Sequence, residues 1–170
     1  MFDVSSIRII PDFPTTGVQF YDITTLLNNA QEYRNAIEDM LRVAKELNPD
    51  VIVSFETRGF FFGPTLAYLL GIPLVPIRKK GKLPGAKFSE KYTLEYGADE
   101  VEIHQGSIAD NQRILLLDDI LATGGTMSAG IRLMEHFHPS SVDSLFLLEL
   151  TELKGRERLS GYPVHSIVQL

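Results

Sequence analysis

The sequence of 170 residues contains no cysteine, which excludes thiol nucleophiles, disulfides and cysteine–zinc sites. It also lacks a basic balance: 16 Lys and Arg stand against 22 Asp and Glu, a formal net charge of −6. Nucleic acids and anionic membranes demand a large basic footprint, so neither is an expected partner, although a small local site for a phosphate stays open. A long unbroken apolar run is missing too. Gly59 to Ile77 carries no charge, but Gly63-Pro64, Gly71, Pro73 and Pro76 interrupt it, and proline breaks interior helical hydrogen bonds. The chain starts Met1-Phe2-Asp3 without a basic segment ahead of an apolar core, so no signal peptide is expected. Neither a GxGxxG nor a Walker-type loop with its lysine occurs. Together these absences predict a soluble, cytoplasmic protein.

What is present reads as one domain. Hydrophobic residues at 44% and charged residues at 22% are globular proportions, and no repeat, low-complexity tract or linker divides residues 1–170. Residues 8–27 are rich in Pro, Gly, Thr and aromatics and are expected to form an irregular cap. A helix is predicted from Gln31 to Leu47, where Tyr33, Ala36, Ile37, Met40, Leu41, Ala44 and Leu47 repeat at three and four before Asn48-Pro49. Buried strands are predicted at Val51–Phe55, Pro73–Ile77, Arg113–Leu117, Val142–Leu150 and Val164–Leu170, with helices at Pro64–Leu70 and Thr126–Phe137. Residues 79–90 read as a mobile basic loop, and Lys91–Glu95 with Val101–His104 as a hairpin joined through Gly97. Strands alternating with helices imply an α/β fold whose ligands bind beyond the carboxyl ends of a largely parallel sheet.

The chemistry concentrates in Asp118-Asp119-Ile120-Leu121-Ala122-Thr123-Gly124-Gly125-Thr126. A strand ends in two carboxylates, crosses a short Gly-Thr loop and opens a helix. Glycines let backbone N–H groups approach an anion, and the helix N-terminus favours negative charge there. Such a loop suits a phosphate monoester. The carboxylates would repel it, so they are expected to face sugar hydroxyls or Mg²⁺. The bland alternative is a solvated turn with Thr126 as helix N-cap. His136 and His138 point to different helix faces, and His104 and His165 are lone residues, so no histidine metal site is expected.

That segment resembles the 5-phosphoribosyl-1-pyrophosphate (PRPP) signature of the type I phosphoribosyltransferases. Asp12-Phe13-Pro14, Phe20, Arg58-Gly59-Phe60, Arg78–Gly85, Leu94-Glu95-Tyr96-Gly97, Glu149-Leu150-Thr151 and Leu153–Glu157 extend the resemblance toward the branch of the family that uses adenine. The resemblance implies a mostly parallel central sheet flanked by helices, an N-terminal hood over the base site at about residues 1–30, and a flexible catalytic loop and hairpin at about residues 79–104. It implies a purine-salvage glycosyltransferase that converts adenine and PRPP to AMP and pyrophosphate, with Mg²⁺ arriving mainly on PRPP, and a homodimer. By the same resemblance Asp118, Asp119, Ala122, Thr123, Gly124, Gly125 and Thr126 would hold the phosphate and ribose. Glu56, Thr57, Arg58, Arg78, Lys79 and Lys82 would hold the pyrophosphate, with a strained peptide at Glu56–Thr57. Gln19, Phe20, Tyr21 and Leu150 would contact adenine, and Glu95 would handle the proton. Alone, Arg58 could equally be a surface residue paired with Glu56, and Phe20 a core aromatic. The rivals are a sibling enzyme for another base and a PRPP-sensing regulator.

Overall fold

Part of the segment expected to be irregular is a hairpin. In the computed structural model, which describes residues 2–94 and 97–170, β1 (Arg8–Pro11) pairs antiparallel with β2 (Gln19–Asp22), in register from Arg8 opposite Asp22 to Pro11 opposite Gln19. These strands are only four residues long, β1 mostly exposed and β2 mostly half-buried, so no alternation of apolar and polar residues marks them. Their loop contains a cis Phe13–Pro14 bond, and Gly17 N–H donates to Asp12 Oδ1 at 2.7 Å. Asp22 locks the far end. Its Oδ1 accepts from Thr24 N–H (3.0 Å) and the Thr24 hydroxyl (2.6 Å) at the start of α1 (Thr24–Leu27), while Arg8 donates to Oδ2. These hairpin and helix elements belong to the first of two compact units, Met1–Asp39 and Met40–Leu170.

Helix α2 (Ala30–Leu47) buries Ala36, Ile37, Met40 and Ala44 on the predicted stripe, and Asn48, at φ 48°, ends it before Pro49. The second unit is built on β3 (Val51–Phe55), buried at every position as its uninterrupted apolar run requires. A 3₁₀ turn at Arg58–Phe61 leads into α3 (Gly63–Leu70), with Pro64 in its first turn and Gly71 closing it in the left-handed conformation. The remaining elements are β4 (Leu74–Lys79), β5 (Lys87–Leu94), β6 (Gly97–His104), β7 (Arg113–Leu121), α4 (Gly125–Glu135), β8 (Ser141–Glu149), α5 (Gly155–Arg158) and β9 (Val164–Gln169).

The seven strands of this unit are ordered β5-β6-β4-β3-β7-β8-β9. β4, β3, β7, β8 and β9 run parallel, and the β5–β6 hairpin joins the edge antiparallel through Arg78 opposite Glu102. The α/β fold with a mostly parallel sheet is therefore as expected. Of the boundaries that differ, two matter most for the site. The basic loop is shorter, because β5 starts at Lys87 and Glu102 reaches back to hold the turn: its Oε2 accepts from Gly81 N–H (3.1 Å) and Lys87 Nζ (3.0 Å). Strand β7 is longer, running past Leu117 to Leu121, because β8 goes on pairing with it after β3 stops: Ser54 is the last partner of β3, at Leu117, while Asp118, Ile120 and Leu121 face Phe146, Leu148 and Glu149. α3 rests on β3 and β4, and α4 on β5, β6 and β7. Phe55, Ile77, Leu116, Met127, Ile131 and Phe146 lie at the centre of the apolar core. Among the described residues no helix is long and apolar enough to cross a membrane.

Candidate active site

From β3 the chain crosses to β4 on one side, while β7 lies on the other. This is a topological switch point, and the crevice opens beyond the carboxyl ends of β3 and β7. Both ends carry the residues that the sequence singled out. Asp118 and Asp119 lie within β7 rather than after it, and Asp119 is only 1% exposed, which corrects the expectation of carboxylates ending a strand in open solvent. Asp118 Oδ1 accepts from Asp119 N–H at 2.9 Å. Burial pushes both carboxyls above the usual range, and the charge of Asp119 adds to the rise at Asp118.

Arg58 answers these carboxylates. Its Nε lies 2.9 Å from Asp119 Oδ2, a partner the sequence reading did not name. The approach is close enough for an ion pair but off the hydrogen-bond direction, which leaves Asp119 Oδ2 without a hydrogen-bond donor among the described residues. Gly59 permits the contact: a Cβ there would stand 2.9 Å from the Leu117 carbonyl oxygen and 3.2 Å from Asp118 Oδ1. The Glu56–Thr57 peptide is cis, at the position named from the family resemblance.

Glu56 instead gathers the cations of β4. Its Oε2 accepts from Arg78 Nε at 2.9 Å and from Lys79 N–H at 3.0 Å, and the Arg78 contact holds its carboxyl below the usual carboxylate range. Arg78 and Lys79 are strand residues, not parts of a mobile loop, while exposed Lys82 lies in the following turn with its charge also acting on Glu56.

The phosphate-type loop follows β7. Ala122 and Thr123 are half-buried, and Gly124, at φ +78°, is the N-cap of α4, so Thr126 sits inside the helix and does not cap it. The first intrahelical bond of α4 is Ser128 N–H to Gly124 C=O at 2.9 Å, so the N–H groups before it face the end of the helix. Leu150 closes the same rim, its N–H donating to Leu121 C=O at 2.9 Å. Gln19, Phe20 and Tyr21 lie on β2 of the first unit, where the Phe20 ring meets Phe13 edge-on at 5.2 Å. Glu95 lies outside the described residues.

Two groups escaped the sequence reading. Tyr92 donates to Asp99 Oδ2 at 3.1 Å, and its hydroxyl also meets Thr126, with burial raising its pKa. The only signal was its inward phase, in step with Phe88, on a strand shorter in the reading than in the fold. Glu149 and Arg156 were matched to the family without a role, and they form a fork beside the loop between a partly exposed guanidinium and a buried carboxylate.

The profile of the phosphoribosyl transferase domain matches residues 22–167. The chain belongs to the phosphoribosyltransferase family. Along nearly its whole length it is 50% identical to the adenine phosphoribosyltransferase of Desulfitobacterium hafniense, over 96% of this chain and 94% of that one. The structure of adenine phosphoribosyltransferase from Thermoanaerobacter pseudethanolicus superposes with a TM-score of 0.92 at 43% identity, covering 98% of this chain and 96% of that one. The Saccharomyces cerevisiae enzyme, complexed with an imino-altritol bisphosphate and adenine, superposes with a TM-score of 0.91 at 37% identity, covering 96% and 95%. The phosphoribosyltransferase match spans the carboxyl ends of β3 and β7 and the loop between β7 and α4, but begins after Gln19–Tyr21.

Proposed function

We propose that this phosphoribosyltransferase transfers the 5-phosphoribosyl group of PRPP to adenine, giving AMP and pyrophosphate in purine salvage. The observation that carries the reading is the junction of β7 and α4, where a glycine N-cap aims backbone N–H groups beyond the half-buried Asp118 and the buried Asp119. N9 of adenine attacks the ribose C1, the C1–O bond to pyrophosphate breaks with its electron pair, and the N9 proton leaves. Charge on C1 develops as the bond breaks, so the site must hold three things still and keep water out.

The residues divide that work. Thr123, Gly124, Gly125 and Thr126, with Ala122, grip the 5′-phosphate, and Asp118 and Asp119 take the ribose hydroxyls. A carboxyl whose ionisation is already opposed by burial is suited to exchanging a hydrogen bond with a hydroxyl. Thr57, Arg58, Lys79 and Lys82 meet the pyrophosphate. Arg78 enters with its charge shared with Glu56, so Glu56 positions the cations rather than touching the anion. Gln19, Phe20, Tyr21 and Leu150 contact the base, and Glu95 is the proton-transfer group.

Mg²⁺, which the family implies, finds no gathering of three or more His, Asp or Glu among the described residues. Two adjacent carboxyls with burial-raised pKa fit an ion carried in on PRPP oxygens better than a resident one. When bound, it supplies charge neutralisation to the leaving pyrophosphate. A homodimer belongs to the same reading: Tyr68 (85% exposed) and Leu69 (47%) are adjacent apolar side chains on α3 that a second copy would cover. A cytoplasmic location belongs to the same reading, because PRPP and AMP are too highly charged to cross a bilayer unaided. The test is a screen of bases with PRPP and Mg²⁺: adenine should turn over, and equal or better turnover of hypoxanthine, guanine or xanthine would overturn the reading.

A further inference from the structure

Behind the loop after β7 stands a second segment, and the two meet backbone to backbone. A Cβ on Gly124 would lie 2.5 Å from the Gly155 carbonyl oxygen, and a Cβ on Gly155 would run into the Ala122 carbonyl oxygen while standing 2.9 Å from Leu121 Cδ1. Neither segment can shift without displacing the other. Gly155 is placed by its neighbour. Arg156 donates from Nε to Glu149 Oε1 (2.9 Å), from Nη2 to Glu149 Oε2 (2.5 Å) and from Nη1 to the Val164 carbonyl (2.7 Å). Glu149 is itself 5% exposed, and its Oε2 also accepts from the Ser166 hydroxyl at 2.6 Å and Gln169 Nε2 at 3.2 Å. The guanidinium thus bolts the start of α5 to the last residue of β8 and to β9. Lys154, at φ 52°, turns the chain sharply enough for Gly155 to face the loop while Arg156 faces the sheet.

We infer that Arg156 is a positioning residue for the phosphate loop: its fork on Glu149 fixes Gly155 as the backing against which Ala122–Gly124 keeps its anion-binding shape. The inference rests on the reading of that loop as the 5′-phosphate site. Arg156 touches no substrate, so its effect must pass through Gly155. Two consequences separate this role from general support of the fold. Loss of the fork should weaken the phosphate-bearing substrate and spare the base. Lysine should rescue only in part, because it keeps a charge near Glu149 but cannot span both carboxylate oxygens and the Val164 carbonyl.

The experiment titrates ribose 5-phosphate into wild type, Arg156→Ala and Arg156→Lys by calorimetry, and measures KM for PRPP and for adenine in each. Arg156→Ala should raise the ribose 5-phosphate Kd and the PRPP KM by about tenfold or more, the scale of a lost charge-assisted hydrogen bond, with the adenine KM nearly unchanged. Arg156→Lys should fall between the two. If Arg156→Ala does not fold, Arg156→Lys carries the same comparison by its own PRPP-to-adenine split. Wild-type ribose 5-phosphate affinity in the variants, or equal losses for both substrates, would overturn the inference and leave the loop assignment standing. A wild-type chain that does not bind ribose 5-phosphate would overturn the loop assignment and the inference with it.

Discussion

Arg58 Nε and Asp119 Oδ2 stand 2.9 Å apart, so the turn that leaves β3 is tied to the buried carboxyl pair of β7. This contact joins the two strand ends on either side of the switch point. It also places a guanidinium that is still partly in solvent against a carboxylate that is not, with side-chain exposures of 42% and 2%. Asp119 is then held by Arg58 from the open side while the sheet opposes its ionisation from the other.

Asp119→Asn should therefore separate activity from stability. Asparagine keeps the shape and removes a charge that burial disfavours, and Arg58 can turn to water. The melting temperature should stay near wild type while kcat/KM for PRPP falls by about tenfold or more, the range for a lost hydrogen bond to a charged group. Thermal melting and steady-state kinetics on the same preparation check it. A large drop in melting temperature with intact turnover would make the pair structural.

Gly124→Ala tests the loop differently. Its φ of +78° is costly for any residue with a Cβ, and that Cβ would lie 2.5 Å from the Gly155 carbonyl oxygen. The substitution should cost about 1–3 kcal/mol of stability and weaken PRPP. Steric occupation of the anion's place is thus not the first consequence of filling this position; collapse of the backing contact is. Gly161→Ala, where φ is +94° with nothing within 4 Å, gives the strain-only control by denaturant melts. Matched PRPP affinities in the two variants would remove the loop from the binding site.

Which parts of this arrangement were legible follows from how each residue is held. Val51–Phe55 has a run of apolar side chains buried on both faces, and its limits were read correctly. Asp118 and Asp119 look like the end of a strand because charged residues seldom lie in a sheet interior, yet the backbone ladder to Phe146 and Leu148 carries β7 past them. A pattern of side chains cannot report a continuation made by main-chain bonds. The same reason hid the β1–β2 hairpin, whose four-residue strands are too short and too unevenly buried to show a pattern. The four-residue α5 was too short for any periodicity. The Glu149–Arg156 fork joins residues seven positions apart through a turn that only the fold reveals.

Acid sensitivity follows from that fork. Arg156, with Ser166 and Gln169, holds Glu149 at about 2, below its ordinary 4.5, against the opposing effect of burial. A carboxyl depressed in the folded state contributes stability that is complete above 4.5 and is lost as pH falls toward about 2. Asp50, drawn from 3.8 to about 2 by Arg113, loses its contribution in the same acid range. Asp118 and Asp119 act with the opposite sign, since a raised pKa means the native state binds the extra proton and is relatively favoured in acid. Glu149→Gln should flatten the acid limb of the stability curve, read by denaturant melts from neutral pH downward. An unchanged limb would show that the fork titrates equally in the unfolded chain.

Phe20→Ala asks whether the first unit contributes to the base site. Phe20 is half-buried on β2 and meets Phe13 edge-on at 5.2 Å. Stacking of a base on an aromatic is worth about 1–3 kcal/mol, so the adenine KM should rise about tenfold while the PRPP KM holds. Reduced thermal stability with normal adenine kinetics would make the ring a packing residue of the hairpin.

Glu95 carries the last expectation. Residue 95 lies outside the described residues; the described residues on either side, Leu94 and Gly97, pair across β5 and β6. The arms below are pinned: Arg132 on α4 donates to Glu90 Oε2 at 2.9 Å and to the Lys91 carbonyl at 3.0 Å, and Tyr92 donates to Asp99 at 3.1 Å. The carboxyl of Glu95 would take the proton that adenine loses at N9, and its side chain would help exclude water from the charged C1. Glu95→Gln keeps the size and removes the base; Glu95→Leu removes both the base and the polarity. Each should lower kcat by on the order of 10²-fold, the low end for a lost general acid or base, with little change in PRPP affinity because Ala122–Thr126 holds that substrate. A solvent-viscosity series and a pH–rate profile then divide the causes. Loss of the profile's acid limb in both variants identifies Glu95 as the proton acceptor, whereas near-normal kcat in Glu95→Leu would assign the proton to water and leave Glu95 only a covering role.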